Sequence, residues 1–133
     1  MKRTELRDHI FRIVFEMEFN GAEEMSDQMA LYFEQLEGAS EKDLEYIGTK
    51  IKKISENLAE IDRILNDTAN RWKTTRMNKV DLSILRLAVY EMKWDENVPV
   101  GVAINEAVEL AKKYSGEDGP SFINGVLAKL ANP

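Results

Sequence analysis

Residues 79–130 read KVDLSILRLAVYEMKWDENVPVGVAINEAVELAKKYSGEDGPSFINGVLAKL, and this stretch contains three apolar segments that are each long enough for a helix. The first segment, from Val80 to Lys93, is apolar around most of its circumference. A helix that is apolar nearly all round is buried among several neighbours, so we predict a central helix here. We expect its polar strip to face solvent or a partner, and that strip consists of Ser83, Arg86, Tyr90 and Lys93.

The rest of the chain also has a helical pattern, because proline is absent before Pro99 and no strand-like alternation of apolar and polar residues occurs. We predict an all-α fold of seven helices joined by short links. In chain order, these helices are Arg3–Phe19 ended by Asn20–Gly21, a helix capped by Ser26, a helix opened by a Ser40–Asp43 capping box, a helix around Leu58 to Leu65, the central helix, a helix entered at Val98–Pro99 and a helix from Ser121.

Helical spacing also predicts the surroundings of several side chains. The core residues of the second helix are expected to be Met29, Tyr32, Phe33 and Leu36. A solvated face of the third helix is expected at Lys50, Lys52 and Lys53. Asp81 and Glu91 fall on the apolar side of the central helix, where buried carboxylates need partners. We interpret these two acids as structural or interfacial residues.

The composition is that of a single domain of 133 residues, with 44% hydrophobic and 32% charged residues. The net charge of −6 argues against a nonspecific nucleic-acid binder. Any RNA site must therefore be a local basic patch on an acidic body. The acidic remainder of the chain would suit a basic protein partner.

No motif for catalysis, a cofactor or a metal is visible. The chain has no cysteine, and its single histidine, His9, lies on the polar face of the first helix between acidic residues. We therefore expect no enzyme activity, no cofactor and no metal site. Neither a signal peptide nor an apolar run of membrane-spanning length is present, so we expect a cytoplasmic protein that does not enter a membrane.

Two short segments of this acidic chain are basic. Lys2, Arg3 and Arg7 form either a basic tip beside the apolar face of the first helix or a charged, frayed terminus. The linker RWKTTRMNK, residues 71–79, has four basic residues, no acid and one tryptophan. In single-stranded RNA sites, cations hold phosphates and aromatic rings stack on bases. Trp72 is either such a ring or, as we expect, an anchor that closes the core.

The strings VDLSILRLAVYEM, VP, VAINEAVELAKKY and FINGVL occur in this order between residues 80 and 127. Together they resemble the C-terminal half of the NusB family of bacterial transcription antitermination factors, while residues 1–76 resemble it more loosely. The resemblance implies one NusB-like RNA-binding domain over 1–133, a globule of two packed helical subdomains at about 1–76 and 77–133. It also implies binding to the boxA RNA of nascent rRNA transcripts together with the ribosomal protein NusE. In the family, this pair helps RNA polymerase in its antitermination complex to resist termination.

The resemblance further implies two sets of site residues. The positions that match the family's RNA surface, or extend its basic part, are Lys2, Arg3, Arg7, Arg76, Lys79, Arg86, Tyr114, Asp118 and Phe122. The positions assigned to the partner surface are Phe15, Asp81, Arg86 and Tyr90. Phe122 also projects away from the core side near a helix N-terminus, where free N–H groups favour a phosphate. Helical phase places Tyr114 on the core side, with its ring partly buried.

In the mechanism we predict, the cations hold phosphates, Phe122 and Tyr114 stack on bases, and Asp118 accepts a hydrogen bond from a base edge. One alternative is a self-associating scaffold that homodimerises and binds RNA weakly, which light scattering at several concentrations would detect. Another is a module of a cytosine-5 rRNA methyltransferase, which carries a similar helical domain. The absence of a Rossmann-type strand pattern and of a catalytic cysteine argues against that enzyme.

Overall fold

The computed structural model describes residues 1–20 and 24–133, and in these residues it contains seven α-helices and no strand. The helices are α1 (Arg3–Phe19), α2 (Met25–Gln35), α3 (Glu41–Glu56), α4 (Leu58–Thr68), α5 (Lys79–Trp94), α6 (Val100–Tyr114) and α7 (Gly119–Ala131). A short 3-10 turn at Thr74–Arg76 lies between α4 and α5. The predicted all-α class and helix number are confirmed. Asn20 follows α1 as expected, whereas Gly21 lies outside the described residues.

Two compact units make up the chain, Met1–Ser55 and Glu56–Pro133. The first unit holds α1, α2 and nearly all of α3, and the second holds α4 to α7. Our sequence-based division near residue 76 grouped α4 with the first three helices. In the structure α4 lies in the second unit, because it packs against α5 and α7.

The capping box predicted at the start of α3 is confirmed. The Asp43 N–H donates to the Ser40 hydroxyl at 3.1 Å, and the Ser40 N–H donates to the Asp43 carboxylate at 3.0 Å. The N-terminal ammonium of Met1 donates to the same carboxylate at 3.0 Å. The Ser40 N–H and then this ammonium stabilise the charged form, so the pKa of Asp43 lies below its ordinary value.

The expectations for α2 are wrong in two respects. This helix begins at Met25 with Glu24 at the N-cap position, so Ser26 lies inside the first turn and is not the cap. None of its residues is buried, and the four expected core residues are only half-buried. Helical spacing identifies the more apolar face of a helix, but it does not give the depth to which that face is covered.

On α3, Lys50 is buried, with 5% of its surface exposed, whereas Lys52 and Lys53 are exposed as predicted. The Lys50 ammonium donates to the Tyr46 hydroxyl one turn earlier, at 3.1 Å. This hydrogen bond gives the buried ammonium a polar partner. The prediction of a solvated lysine at this position is therefore wrong.

The second unit is built around α5. Every residue from Asp81 to Glu91 is buried, and α5 packs against α4, α6 and α7. The predicted central helix is thus confirmed, as is the burial of both acids on its apolar side. In the described part of the chain, no helix combines the length and the apolar character that crossing a membrane requires.

Candidate nucleic-acid interface

Trp72 and Phe122 form an aromatic pair on the surface of the second unit. Trp72 is 55% exposed and Phe122 is half-buried. Their ring centroids are 6.4 Å apart and their planes are inclined by 80°, an edge-to-face arrangement. We call these two residues the aromatic ridge.

The expectation that Trp72 anchors the core is wrong. The segment after α4 instead buries the smaller side chains of Thr74, the first residue of the 3-10 turn, and Met77, which follows the turn. Two hydrogen bonds fix the backbone there: the Trp72 N–H donates to the Ala69 carbonyl at 2.8 Å, and the Thr74 N–H donates to the Asn66 side-chain oxygen at 2.8 Å. The indole can therefore stay in solvent without loosening the segment.

The aromatic ridge lines two clefts. One cleft, of about 490 Å³, is bordered by Arg76 to Asn78, Asp81 and residues 115–119. Because it contains the carboxylates of Asp81, Glu117 and Asp118, we call it the acidic cleft. The other, of about 400 Å³, is bordered by residues 68–71 and by α7 as far as Lys129, and its lining has no carboxylate. We call it the basic cleft.

A set of short-range hydrogen bonds holds the floor of the acidic cleft. The Asn78 side chain caps α5 by accepting from the Asp81 N–H at 2.8 Å, and its amide donates to the Asp81 carboxylate at 2.8 Å. The Ser115 hydroxyl donates to the other Asp81 oxygen. A Cβ at Gly119 would overlap the Ser115 side chain, so the turn into α7 needs a glycine there. Asp81 is therefore engaged within the fold, and its role at a partner surface stays a prediction.

Arg76 and Asp118 border the same cleft and are exposed. Neither side chain makes an ion pair or hydrogen bond with any residue that the structure describes. Asp118 stands at the N-cap position of α7 without a side-chain cap bond, although a carboxylate is favoured there. Arg76, Asp118 and Phe122 thus line one cleft beside the aromatic ridge, and their role in RNA binding stays a prediction.

Arg86 and Tyr90 do not face solvent, so the prediction of an exposed polar strip on α5 is wrong for both residues. Arg86 is 6% exposed, and its guanidinium donates two hydrogen bonds to Asp62 of α4, at 2.9 and 2.8 Å. Tyr90 is 4% exposed and stacks on Trp94 with a centroid distance of 6.1 Å. Ser83 is buried as well, so that Lys93 alone of the strip is exposed.

Two further predicted RNA contacts lie near the ends of α5 and α6. Lys79 is the first residue of α5 and is half-buried. Tyr114 is half-buried too, as its helical phase indicated, and the Lys113 ammonium lies 5.1 Å from the centre of its ring. Neither residue borders the acidic or the basic cleft.

The basic tip of the first unit is only partly exposed. Lys2 is exposed, and the guanidinium carbon of Arg3 lies 4.3 Å from the Tyr46 ring centroid. Arg7 is 6% exposed, because the buried face of α1 continues to its first turn. Arg7 therefore does not belong to an exposed basic tip, and the terminus is not frayed there, because α1 begins at Arg3. Phe15 is half-buried and packs against neighbouring phenylalanines of the same helix.

Sequence reasoning missed the role of Trp72 as half of the aromatic ridge and did not single out Lys129 in the basic cleft. The signal for Trp72 is the basic linker around it, since a tryptophan among cations is typical of single-stranded RNA sites. Lys129 carries no signal in the sequence, because only the packing of α7 brings it near Arg71. Within the described residues, no group of three or more histidines and acids is placed to hold a metal ion.

Comparison with known proteins supports the family resemblance that the four sequence strings indicate. The model of the NusB family matches residues 4–132. The transcription antitermination protein NusB of Lachnoclostridium phytofermentans is 49% identical over 130 residues, which cover 98% of each chain. The protein of the same name from Agathobacter rectalis is 44% identical over 131 residues, covering 98% of this chain and all of the relative.

Among solved structures, NusB of T. maritima superposes with a TM-score of 0.86 at 31% sequence identity. The match covers 98% of this chain and 91% of that protein. The relatives and the solved structure thus extend over almost the whole length of the chain, including residues 1–76, where the resemblance in the sequence was loose.

Proposed function

The chain belongs to the NusB family, and from this premise we propose that it is a transcription antitermination factor that binds boxA RNA of nascent rRNA transcripts together with the ribosomal protein NusE. The observation that carries the proposal is the 49% identity to a transcription antitermination protein over 98% of both chains. The role of such a factor is to help RNA polymerase resist termination. A factor with this role acts in the cytoplasm and needs no catalytic residue, cofactor or metal.

On the RNA side, the proposal uses the aromatic ridge and its surroundings. Trp72 and Phe122 offer ring faces and edges on which splayed bases can stack, a contact that tolerates any base. Arg76, which the resemblance assigned to a phosphate, borders a cleft with three carboxylates and is better suited to donate hydrogen bonds to a base edge, while Asp118 can accept one from an exocyclic amino group. In the first unit, Lys2 and Arg3 are exposed and supply further positive charge for the phosphates of the RNA.

On the protein side, the proposal uses the acidic character of the chain. The net charge of −6 favours association with a basic ribosomal protein and opposes nonspecific binding to RNA. A composite surface of the two proteins would then hold RNA more tightly than this chain alone. Arg86 and Tyr90 are buried, so any effect they have on this partner would act through the packing of α5.

The test is fluorescence anisotropy with a labelled boxA RNA, measured with and without NusE at two salt concentrations. A scrambled RNA of the same length and composition is the control. We expect salt-sensitive binding that is stronger for boxA than for the scrambled RNA and becomes tighter when NusE is present.

Absence of boxA binding in all four conditions, with the helical circular dichroism signal intact, would contradict the proposal. The self-associating scaffold would then be the better explanation. Light scattering over a range of concentrations would test it directly, because a homodimer doubles the apparent mass as the concentration rises.

A further inference from the structure

We propose that the basic cleft holds the phosphates of the same single-stranded RNA, so that the strand crosses the aromatic ridge with its backbone on the Arg71–Lys129 side and its bases directed toward the acidic cleft. This inference rests on the proposed function and adds to it the path of the strand. It assigns two residues, Arg71 and Lys129, to the RNA contact.

The first argument is the difference in charge between the two clefts. The basic cleft contains Arg71 and Lys129 and no carboxylate, on a chain in which acids outnumber bases by 24 to 18. The acidic cleft contains three carboxylates and a single arginine, Arg76. A phosphate is repelled by carboxylates, whereas the amino groups of bases donate hydrogen bonds to them. The backbone and the bases of one strand thus suit opposite sides of the ridge.

The second argument is that these cations are not used by the fold. In the second unit, every residue of which is described, Arg63, Arg86 and Lys112 form ion pairs with acids at 3.1 Å or less. The side chains of Arg71 and Lys129 make no hydrogen bond or ion pair within the described residues. No acid of the described residues is in direct contact with either cation, so both can bind an anion.

The third argument is that the aromatic ridge is the common wall of both clefts. A ligand that stacks on Trp72 or Phe122 necessarily lies next to both. Exposed rings beside a cation-lined groove are the arrangement in which proteins bind single strands, because the rings need unpaired bases. In a duplex, by contrast, the bases are stacked on one another and are not available to the rings.

The experiment measures boxA affinity as a function of salt for the full chain and for the double variant Arg71→Gln/Lys129→Gln. The matched control is Lys93→Gln/Lys112→Gln, which removes the same charge at exposed positions of the same unit that border neither cleft. Loss of two phosphate contacts should reduce the slope of log K against log salt by about 1.4, at about 0.7 per phosphate on a single strand. If the double variant and the wild type bind boxA equally at 1 M salt, this difference in slope makes the double variant bind about 25-fold more weakly at 0.1 M salt.

A second measurement locates the contact on the RNA. Neutral methylphosphonate linkages are placed one at a time along boxA. We expect one or two linkages whose replacement weakens binding to the wild type and has no effect on the double variant. The control variant should keep the sensitivity of the wild type at those same linkages.

If the double variant and the control have the same salt slope while the wild type binds boxA, the path through the basic cleft is wrong and the proposed function stands. If the wild type does not bind boxA, both are wrong. Arg71 and Lys129 are exposed and have no side-chain partner in the described structure, and the control loses only the exposed pair of Lys112 with Glu109, so all variants should fold, as thermal melts would verify.

Discussion

The helix α5 and the aromatic ridge both lie in the second unit, and both contain residues that the family resemblance assigned to ligands, but their surroundings differ. On α5, Arg86 is paired with Asp62 and Tyr90 is stacked on Trp94, so these groups stabilise the fold. At the ridge, Trp72 is exposed and the nearby Arg76 has no partner within the described structure. Residues that match functional positions of the family therefore fall into two groups, those that stabilise the fold around the site and those that are free to contact the ligand.

The largest effect that this comparison predicts is on stability. Arg86→Ala would leave the Asp62 carboxylate without its guanidinium in a mostly buried position, and we expect a loss of about 3 kcal/mol in unfolding free energy. Urea denaturation measures it. Arg63→Ala is the control, because that arginine pairs with acids on the exposed face of α4 and its loss should scarcely change the midpoint. Equal effects of the two substitutions would contradict the assignment of Arg86 to the core.

A somewhat smaller effect is expected at the turn that borders the ridge. In Gly119→Ala the new methyl group overlaps Ser115 and displaces the hydroxyl from Asp81, at a cost of about 2 kcal/mol. The matched control on the same helix is Gly125→Ala, where nothing lies within 4 Å of the added Cβ. That change should stabilise the helix by roughly 0.5–1 kcal/mol. Thermal melts in which Gly119→Ala is as stable as the wild type would show that the turn adapts.

The third prediction separates binding from stability most directly. Trp72→Ala should weaken boxA binding by about 1–3 kcal/mol, as expected for loss of one stacking ring, with little change in melting temperature. Trp94→Ala should do the opposite, because that ring is half-buried and stacked on Tyr90. Anisotropy and thermal melts on both variants form the test. If RNA affinity falls equally in both, the ridge has no special role.

The smallest effect concerns pH and the capping box of α3, where the half-buried carboxylate of Asp43 stabilises the fold. The pKa of Asp43 is below its ordinary value in the folded state, so its stabilising contribution is fully present above about pH 4. It is lost as the pH falls through the folded-state pKa. Asp43→Asn should therefore flatten the acid side of the stability curve, which urea denaturation between pH 5 and pH 2.5 would detect. An unchanged acid limb would mean that the capping box does not titrate with folding.

Helical periodicity was sufficient to predict the fold class, the central helix and the capping box, because each depends on residues within a few turns of one another. It failed where a partner comes from a distant part of the chain. The burial of Arg86 could not be predicted from the sequence of α5 alone, because the carboxylate that accepts its hydrogen bonds, Asp62, lies 24 residues earlier on α4. Lys50 shows a second limit, because its partner Tyr46 is only one turn away but its burial depends on the packing of the whole helix.

The candidate site was predicted in the same uneven way. Arg76, Asp118 and Phe122 were named from the sequence, and the structure brings all three to one cleft. The basic cleft could not be predicted, because Arg71 and Lys129 are 58 residues apart in the sequence and border the same cleft only because α7 packs against α4. The prediction for Trp72 was wrong because it followed the usual burial of tryptophan, whereas in this segment the smaller Met77 is buried and Trp72 is exposed.

The hydrogen bond from Ser115 to Asp81 fastens the turn before α7 to the first turn of α5. One wall of the acidic cleft is therefore ordered before any ligand arrives, and the conformational entropy of that turn is lost during folding and not during association. A preorganised wall of this kind removes one slow rearrangement from the encounter with RNA, so association should follow single-exponential kinetics whose rate rises in proportion to RNA concentration.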